Sequence, residues 1–298
     1  NGAFPSSNFD LINAGPNIYA GNISYTSYAL ESYFGRIALN WDNKYILNAS
    51  LRSDGSSRFA KNKRYGYFPS ASFAWRASNE EFFPKNKYVN DAKLRLSWGM
   101  TGSMAGVSNY APLSLISAGG ASYNGSAGFQ ISQDARALTW EKASQFNIGF
   151  DIEMFQSRLT LNIDMFYQKT TDLLFKKPVN ATTGYTTLQS NIGSLENKGL
   201  ELTLNTVNID KGGFQWRSNV VFSMNRNKVK SLDTATSLID KSNQTGETIT
   251  VLTRTSVGNP IGQFYGYKVI GRFEKATDFY YKDASGAIKP VALPEGMS

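Results

Sequence analysis

The sequence predicts an all-β protein, an antiparallel transmembrane β-barrel to which this chain contributes about eight or nine strands. Three observations carry that expectation. Apolar and polar residues alternate with a period of two in about eight stretches of the 298-residue chain; no run approaches the ~18 apolar residues of a membrane-spanning helix; and the connections between strands alternate between short and long.

Taken in order, Tyr33, Ile37, Leu39 and Trp41 alternate with Arg36 and Asn40, and Tyr45, Leu47, Ala49 and Leu51 alternate with Asn48, Ser50, Arg52 and Asp54. Ala71, Phe73 and Trp75 then oppose Ser70, Ser72 and Arg76, and Leu94, Leu96 and Trp98 oppose Lys93, Arg95 and Ser97. Phe146, Ile148, Phe150 and Ile152 face away from Asn147, Asp151 and Glu153, as do Leu159, Leu161, Ile163 and Met165 from Thr160, Asn162, Asp164 and Gln168. Leu200, Leu202 and Leu204 against Glu201, Thr203 and Asn205, then Phe214, Trp216, Val220 and Phe222 against Arg217, Asn219 and Ser223, complete about eight strands of roughly ten residues, the length that crosses a bilayer at a tilt.

The predicted connections 42–44, 78–91, 156–158 and 208–213 form the shorter set, and 55–66, 101–144, 170–197 and 226 to about 260 the longer. In a meander every second connection lies at the same end, so this sorting puts short turns at one end and long loops at the other. Outer-membrane barrels show that arrangement, with turns periplasmic and loops extracellular. Strand aromatics and composition alone do not separate a barrel from a soluble sandwich: 19 Phe, 16 Tyr, 5 Trp, 26 Gly and a mean hydropathy of −0.34 suit both.

Composition also narrows function. The chain has no Cys and no His, which removes disulfides, the commonest zinc sites and any nucleophile–imidazole pair. Its charge of +8 is scattered through strands and loops rather than gathered in a basic run, so nucleic acid is not an expected partner. The opening residues Asn1-Gly2-Ala3-Phe4-Pro5 read as loop, as expected of a mature or truncated start.

A cation facing lipid at the bilayer midplane costs about 2–4 kcal/mol. Arg52, Arg76, Lys93, Arg95 and Arg217 are therefore expected to project into the lumen or sit near the interfaces; with Asn48, Ser50, Asp151, Asn162 and Asp164 on the same polar alternates, the lumen-facing candidates are Asn48, Ser50, Arg52, Arg76, Arg95, Asp151, Asn162, Asp164 and Arg217, and the apolar alternates are expected to face lipid. Trp41 and Tyr45 flank the shortest turn, where a wet-tipped ring suits the headgroup level. In the long loops Tyr110, Tyr123, Asn124, Trp140 and Tyr185 are candidates for stacking against sugar rings or gripping peptide, and equally for internal loop packing. Asp54-Gly55-Ser56-Ser57 has neither a His base nor a phosphate-loop Lys and reads as a strand-to-loop turn. Asp151 and Glu153 share a face but on a barrel strand are expected to form lumen hydrogen bonds or to pair with neighbouring Arg. No catalytic residue, cofactor or metal is expected.

The wording of the sequence is as informative as its period. Tyr33-Phe34-Gly35-Arg36, Leu51-Arg52-Ser53-Asp54-Gly55-Ser56-Ser57-Arg58-Phe59, Tyr67-Phe68-Pro69-Ser70, Leu94-Arg95-Leu96-Ser97-Trp98-Gly99 and Asn147-Ile148-Gly149-Phe150-Asp151 occur in this order. Trp140-Glu141-Lys142, Thr171-Asp172-Leu173-Leu174, Glu196-Asn197-Lys198-Gly199-Leu200-Glu201 and Gly258-Asn259-Pro260-Ile261-Gly262-Gln263-Phe264-Tyr265-Gly266-Tyr267 extend the set. Together they resemble the SusC/RagA-type TonB-linked proteins of the Bacteroidetes outer membrane. The resemblance implies a large plugged barrel of about 22 strands, opened from the periplasm by a TonB–ExbB–ExbD complex and capped outside by a SusD-like lipoprotein. It implies import of glycan or peptide through the cell outer membrane, without chemistry on the substrate. On that pattern residues 1–298 are part of the barrel domain, an internal fragment lacking the plug and the last strands. Asp283-Ala284-Ser285-Gly286 resembles a depleted version of an acidic loop in the family, with too few carboxylates for a calcium cage. The alternatives are a small eight-stranded barrel with an adhesin or structural role and a soluble carbohydrate-binding sandwich.

Overall fold

A computed structural model describes residues 25–84, 88–123, 126–131, 135–180, 182, 187–232, 237–245, 248–265, 280–282 and 285–290. Its centre is one eight-stranded antiparallel sheet: β1 (Leu30–Trp41), β2 (Tyr45–Ser56), β3 (Tyr65–Arg76), β4 (Val89–Ser103), β5 (Glu141–Met154), β6 (Leu159–Thr171), β7 (Ser194–Lys211) and β8 (Phe214–Ser231). The spatial order follows the chain order of these strands, so the sheet is a meander with β1 and β8 as its edges. By packing, the chain divides into residues 1–238 with 255–261, which hold this sheet, and residues 239–254 with 262–298. Within the second unit, Thr253 and Arg254 pair with Phe264 and Gln263, and Tyr280–Lys282 pairs with Ile288–Pro290.

The period-two patterns interlock in register. Leu39, Leu47, Phe73, Leu96, Ile148, Met165, Leu200 and Met224 form one row across all eight strands. One residue along, Asn48, Ser72, Ser97, Asn147, Phe166, Gly199 and Asn225 form the next row, which points to the opposite face. A slip of one residue in any strand would exchange the two faces, so the pattern itself fixes register.

Short turns join β1 to β2, β5 to β6 and β7 to β8, each through left-handed backbone. Asp42 and Asn43 (φ 51° each) are residue types that tolerate this region, and Gly212 and Gly213 (φ 63° and 82°) are free of the Cβ that penalises it. The β5–β6 turn is built differently. Phe155, Gln156 and Ser157 all take positive φ, and the start of β4 holds them there: the Asn90 side chain accepts from the Gln156 amide at 2.7 Å, and the Phe155 amide donates to the Tyr88 carbonyl at 2.9 Å.

Two sequence expectations are corrected. The strands run for twelve to eighteen residues rather than about ten. Their ends carry polar residues on both faces, Ser53 to Ser56 and Asn208 to Lys211 among them, so period two fades while the ladder continues. As a result β2 and β3 are joined by 57–64 alone, a shorter connection than 77–88 between β3 and β4. The ends to which the connections belong are unchanged, and the longest, 104–140 and 172–193, lie at one end. They contain hairpins of their own, Ile116–Tyr123 with Ser126–Ile131 and Leu174–Pro178 with Thr187–Asn191.

The buried core lies at the long-loop end rather than across the sheet. Phe59, Phe68, Val107, Ala111, Leu138 and Trp140 pack together there, whereas large apolar residues along the strands, such as Leu39, Trp98, Met165 and Phe222, remain exposed. No helix among the described residues is long and apolar enough to cross a membrane.

Candidate functional site

Residues that face each other across an antiparallel pair share a face. By that rule Asn48, Ser50, Arg52, Arg76, Arg95, Asp151, Asn162, Asp164 and Arg217 all lie on the polar face of the sheet. Its middle is an ionic network. Arg95 forks onto Asp151, Nε to Oδ2 at 2.9 Å and Nη2 to Oδ1 at 2.8 Å, and Nη2 also reaches Asp164 at 2.9 Å. Lys93 adds a 2.8 Å ion pair to Asp151, and Asn162 donates to the same carboxylate at 2.9 Å. With both oxygens engaged, Asp151 is a structural anion paired with Arg as expected, whereas Glu153 accepts a hydrogen bond from the Ser157 hydroxyl at 3.0 Å. Towards the short-turn end Arg76 pairs with Asp91 at 3.5 Å, and Ser78 donates to that same carboxylate.

Towards the loops this face opens into a cleft of about 780 Å³ lined by Arg36, Asn48, Arg52, Ser70, Ser97 and Asn147 among others. Arg36 donates to Asn48 at 2.9 Å and Arg52 to Asp54 at 2.6 Å, so the cations are held by amide and carboxylate groups, while the hydroxyls and amides between them bond one another, Ser50 with Ser70 at 2.7 Å and Asn147 to Ser97 at 3.2 Å. Arg217 is exposed on the same face near the β7–β8 turn.

At the long-loop end side chains brace loop to loop. Trp140 donates from its indole to the Arg64 carbonyl at 3.0 Å and packs against Phe59 and Phe68, leaving it 6% exposed. The Asn191 side chain accepts from the Thr139 amide at 2.7 Å and donates to the Thr139 and Asp172 carbonyls at 2.8 Å each. Gln189 reaches the Gly106 carbonyl at 2.9 Å, and Lys63 the Ala137 carbonyl at 2.9 Å. Beside this platform Tyr28, Phe59, Arg64, Tyr110 and Arg136 line a cleft of about 600 Å³. The Ser27 amide donates to the Tyr110 hydroxyl at 3.1 Å and lowers its pKa.

Of the loop candidates, Tyr110 therefore lines a cleft and Trp140 is enclosed in the platform. Tyr123 ends a hairpin strand, but its side chain, with Asn124 and Tyr185, falls outside the described residues. Asp283 and Ala284 of the acidic loop do too, and the described residues hold no group of three or more acidic side chains spaced for a metal. Asn191 and Gln189 were not singled out in the sequence; an amide that clasps a distant backbone leaves no periodic signal.

The apolar face carries two aromatic levels. Trp41, Tyr45, Trp75, Phe214 and Trp216 flank the short turns, and Tyr33, Tyr65, Tyr67, Trp98 and Tyr167 lie towards the loops. Trp41 and Tyr33 stand on one strand. At ~3.4 Å per residue they are ~27 Å apart along it, or ~21 Å in height at a ~40° tilt, close to the ~25 Å apolar band of a membrane barrel.

Comparisons with known proteins agree with this geometry. The family model "TonB dependent receptor-like, beta-barrel" matches residues 1–291. TonB-dependent receptor P26 of Formosa agariphila is 31% identical over 95% of this chain, and TonB-dependent receptor SusC of Bacteroides thetaiotaomicron is 34% identical over 70%. Among solved structures the RagAB peptide transporter superposes with a TM-score of 0.74 at 25% identity, covering 97% of this chain. The chain spans 28% and 22% of the length of those two relatives and 32% of the superposed transporter chain.

Proposed function

This chain belongs to the TonB-dependent receptor-like β-barrel family, and from that premise we propose that the intact protein imports a nutrient, oligosaccharide or peptide, across the outer membrane with a SusD-like lipoprotein as its outer lid. The observation that carries the reading is the division of one sheet into a face rich in polar and charged side chains and a face rich in apolar ones, the apolar one bounded by two aromatic levels. The polar face is the wall of the lumen, and the nine residues from Asn48 to Arg217 belong to it. The long loops face the exterior, with the cleft beside Tyr110 as part of the capture surface and Tyr123, Asn124 and Tyr185 as further contacts. Trp140 serves that surface from beneath, by holding the loops in place. Energy comes from a TonB–ExbB–ExbD complex acting on parts of the protein other than this sheet, and the substrate leaves unaltered.

The RagAB peptide transporter as a structural neighbour supports peptide, and the loop aromatics and amides, which suit stacking against sugar rings, keep glycan equally in view. The test is uptake by cells expressing the full-length receptor. Removing 106–133 should abolish uptake of the nutrient while the barrel still inserts, and deleting TonB should abolish uptake with the receptor intact. Uptake that survives both changes would refute the proposal.

A further inference from the structure

On the apolar face, cations follow the last apolar residues of β5 to β8, at the next same-face position in β6, β7 and β8 and one beyond Ser144 in β5. Alternation carries that face from Phe146 to Lys142, from Met165 and Tyr167 to Lys169, from Leu200 to Lys198, and from Met224 to Arg226 and Lys228. The register aligns them: Tyr167, Lys198 and Arg226 form one row, Lys169, Glu196 and Lys228 the next. Lys230, beside the β8 bulge, meets Glu196 at 3.3 Å, and Lys142 lies 3.9 Å from Asp172. Lys198 stands 5.3 Å over the Tyr167 ring, whose hydroxyl donates to Glu196 at 2.9 Å. Among the described residues, Glu196 and Asp172 are the carboxylates paired within this group of six cations.

Membrane position explains both the tolerance and the use of these charges. An outward Lys or Arg costs ~2–4 kcal/mol at the midplane but only ~0–1 kcal/mol near the interface. Tyr167 lies at the aromatic level, so the cations begin where the acyl chains end. A group that attracted free anions could sit anywhere on the loops. This one is spread flat over four strands, with its cations directed where headgroups lie and apolar side chains directly beneath.

We propose that Lys142, Lys169, Lys198, Arg226, Lys228 and Lys230 form a docking surface for a phosphorylated glycolipid headgroup of the kind that builds the outer leaflet of bacterial outer membranes. Charge complementarity selects phosphate, and continuity with the apolar band selects a lipid over a soluble anion. The inference rests on the apolar face meeting lipid and not on what is imported.

The test titrates the full-length receptor, in neutral detergent, with a bisphosphorylated glycolipid. K169Q/K198Q/R226Q/K228Q should weaken binding by on the order of a hundredfold. The charge-preserving K169R/K198R/R226K/K228R should bind as the wild type does, and the dephosphorylated glycolipid should bind the wild type poorly. Heat-modifiable electrophoretic mobility confirms that each variant is folded. Wild-type affinity in the glutamine variant, displacement of the glycolipid by millimolar inorganic phosphate, or preference for phosphatidylglycerol would each overturn the proposal. A cysteine at Leu202 that reacts with a water-soluble reagent would instead overturn the orientation of the face, whatever the glycolipid result.

Discussion

Arg95 reaches both of its carboxylates because the residue opposite it, Gly149, has no side chain. A Cβ there would lie 2.5 Å from Asp164 Oδ1 and 2.6 Å from the Arg95 guanidinium. Both are ends of flexible side chains, so Gly149→Ala should displace the fork and spare the backbone. The expected cost is about 1 kcal/mol, as befits a half-exposed ion pair. With Gly149→Ala already in place, Asp164→Asn should then cost almost nothing, and a double-mutant cycle on unfolding in detergent reads that coupling. Glu80, in the β3–β4 connection, gives a second prediction. Its pKa is lowered, first by the Tyr45 hydroxyl at 2.5 Å, then by the Trp75 indole at 3.0 Å, with Lys44 adding an ion pair at 3.3 Å. A lowered pKa means the ionised form binds these partners, so its contribution is present above the ordinary carboxylate range and is lost as pH falls through the folded value. Protease access to 77–88 should therefore rise on acidification in the wild type, while Glu80→Gln should be open already and insensitive to pH over that range.

The strands were legible because their periodicity and their environment coincide: Leu47 and Asn48 differ in face as they differ in chemistry. Strand ends were not, since Asp54 to Ser56 carry no alternation and are held by backbone pairing with Gly66, Tyr65 and Leu30. The polar network was legible as a face but not as a set of pairs, because a partner is fixed by register and register is a property of two strands. In the intact receptor, cysteines replacing Asn48, Ser50 or Asn162 should react with a small water-soluble thiol reagent, and those replacing Leu47, Leu161 or Leu202 should not; equal labelling would contradict the assignment of the faces. Of the loop platform only Trp140 was legible, as a candidate for loop packing; its joints at Asn191 and Gln189 were not, because each is a single amide. Asn191→Ala leaves the Thr139 amide and carbonyl unpaired, a loss of about 1–3 kcal/mol where they are shielded from water. It should raise hydrogen exchange in 135–140 and 172–193 and leave exchange in β1 to β3 unchanged.

Taken whole, the sheet has no second layer to pack against among the described residues: large apolar side chains are exposed on one face, and the buried cluster lies at the long-loop end, where Phe68 of β3 meets loop residues. For a soluble sandwich that distribution is unworkable, because burial of the inner faces of two sheets supplies most of its stability. For a barrel wall it is the expected state, with lipid taking the place of the missing layer. Stability then depends on closure of the hydrogen-bond ladder, which the edges β1 and β8 leave open here. Among the described residues each edge leaves backbone groups without a ladder partner, apart from Val229 with Gly258 and Asn259, and hydrocarbon cannot satisfy them, so the 298-residue chain should not insert as a closed unit by itself. Expressed alone and refolded without detergent, it should aggregate through its edges and its apolar face. In detergent it should remain heterogeneous, without the heat-modifiable mobility of a closed barrel. A monodisperse monomer in plain buffer with one cooperative unfolding transition would contradict this, and would favour the soluble sandwich over the barrel wall.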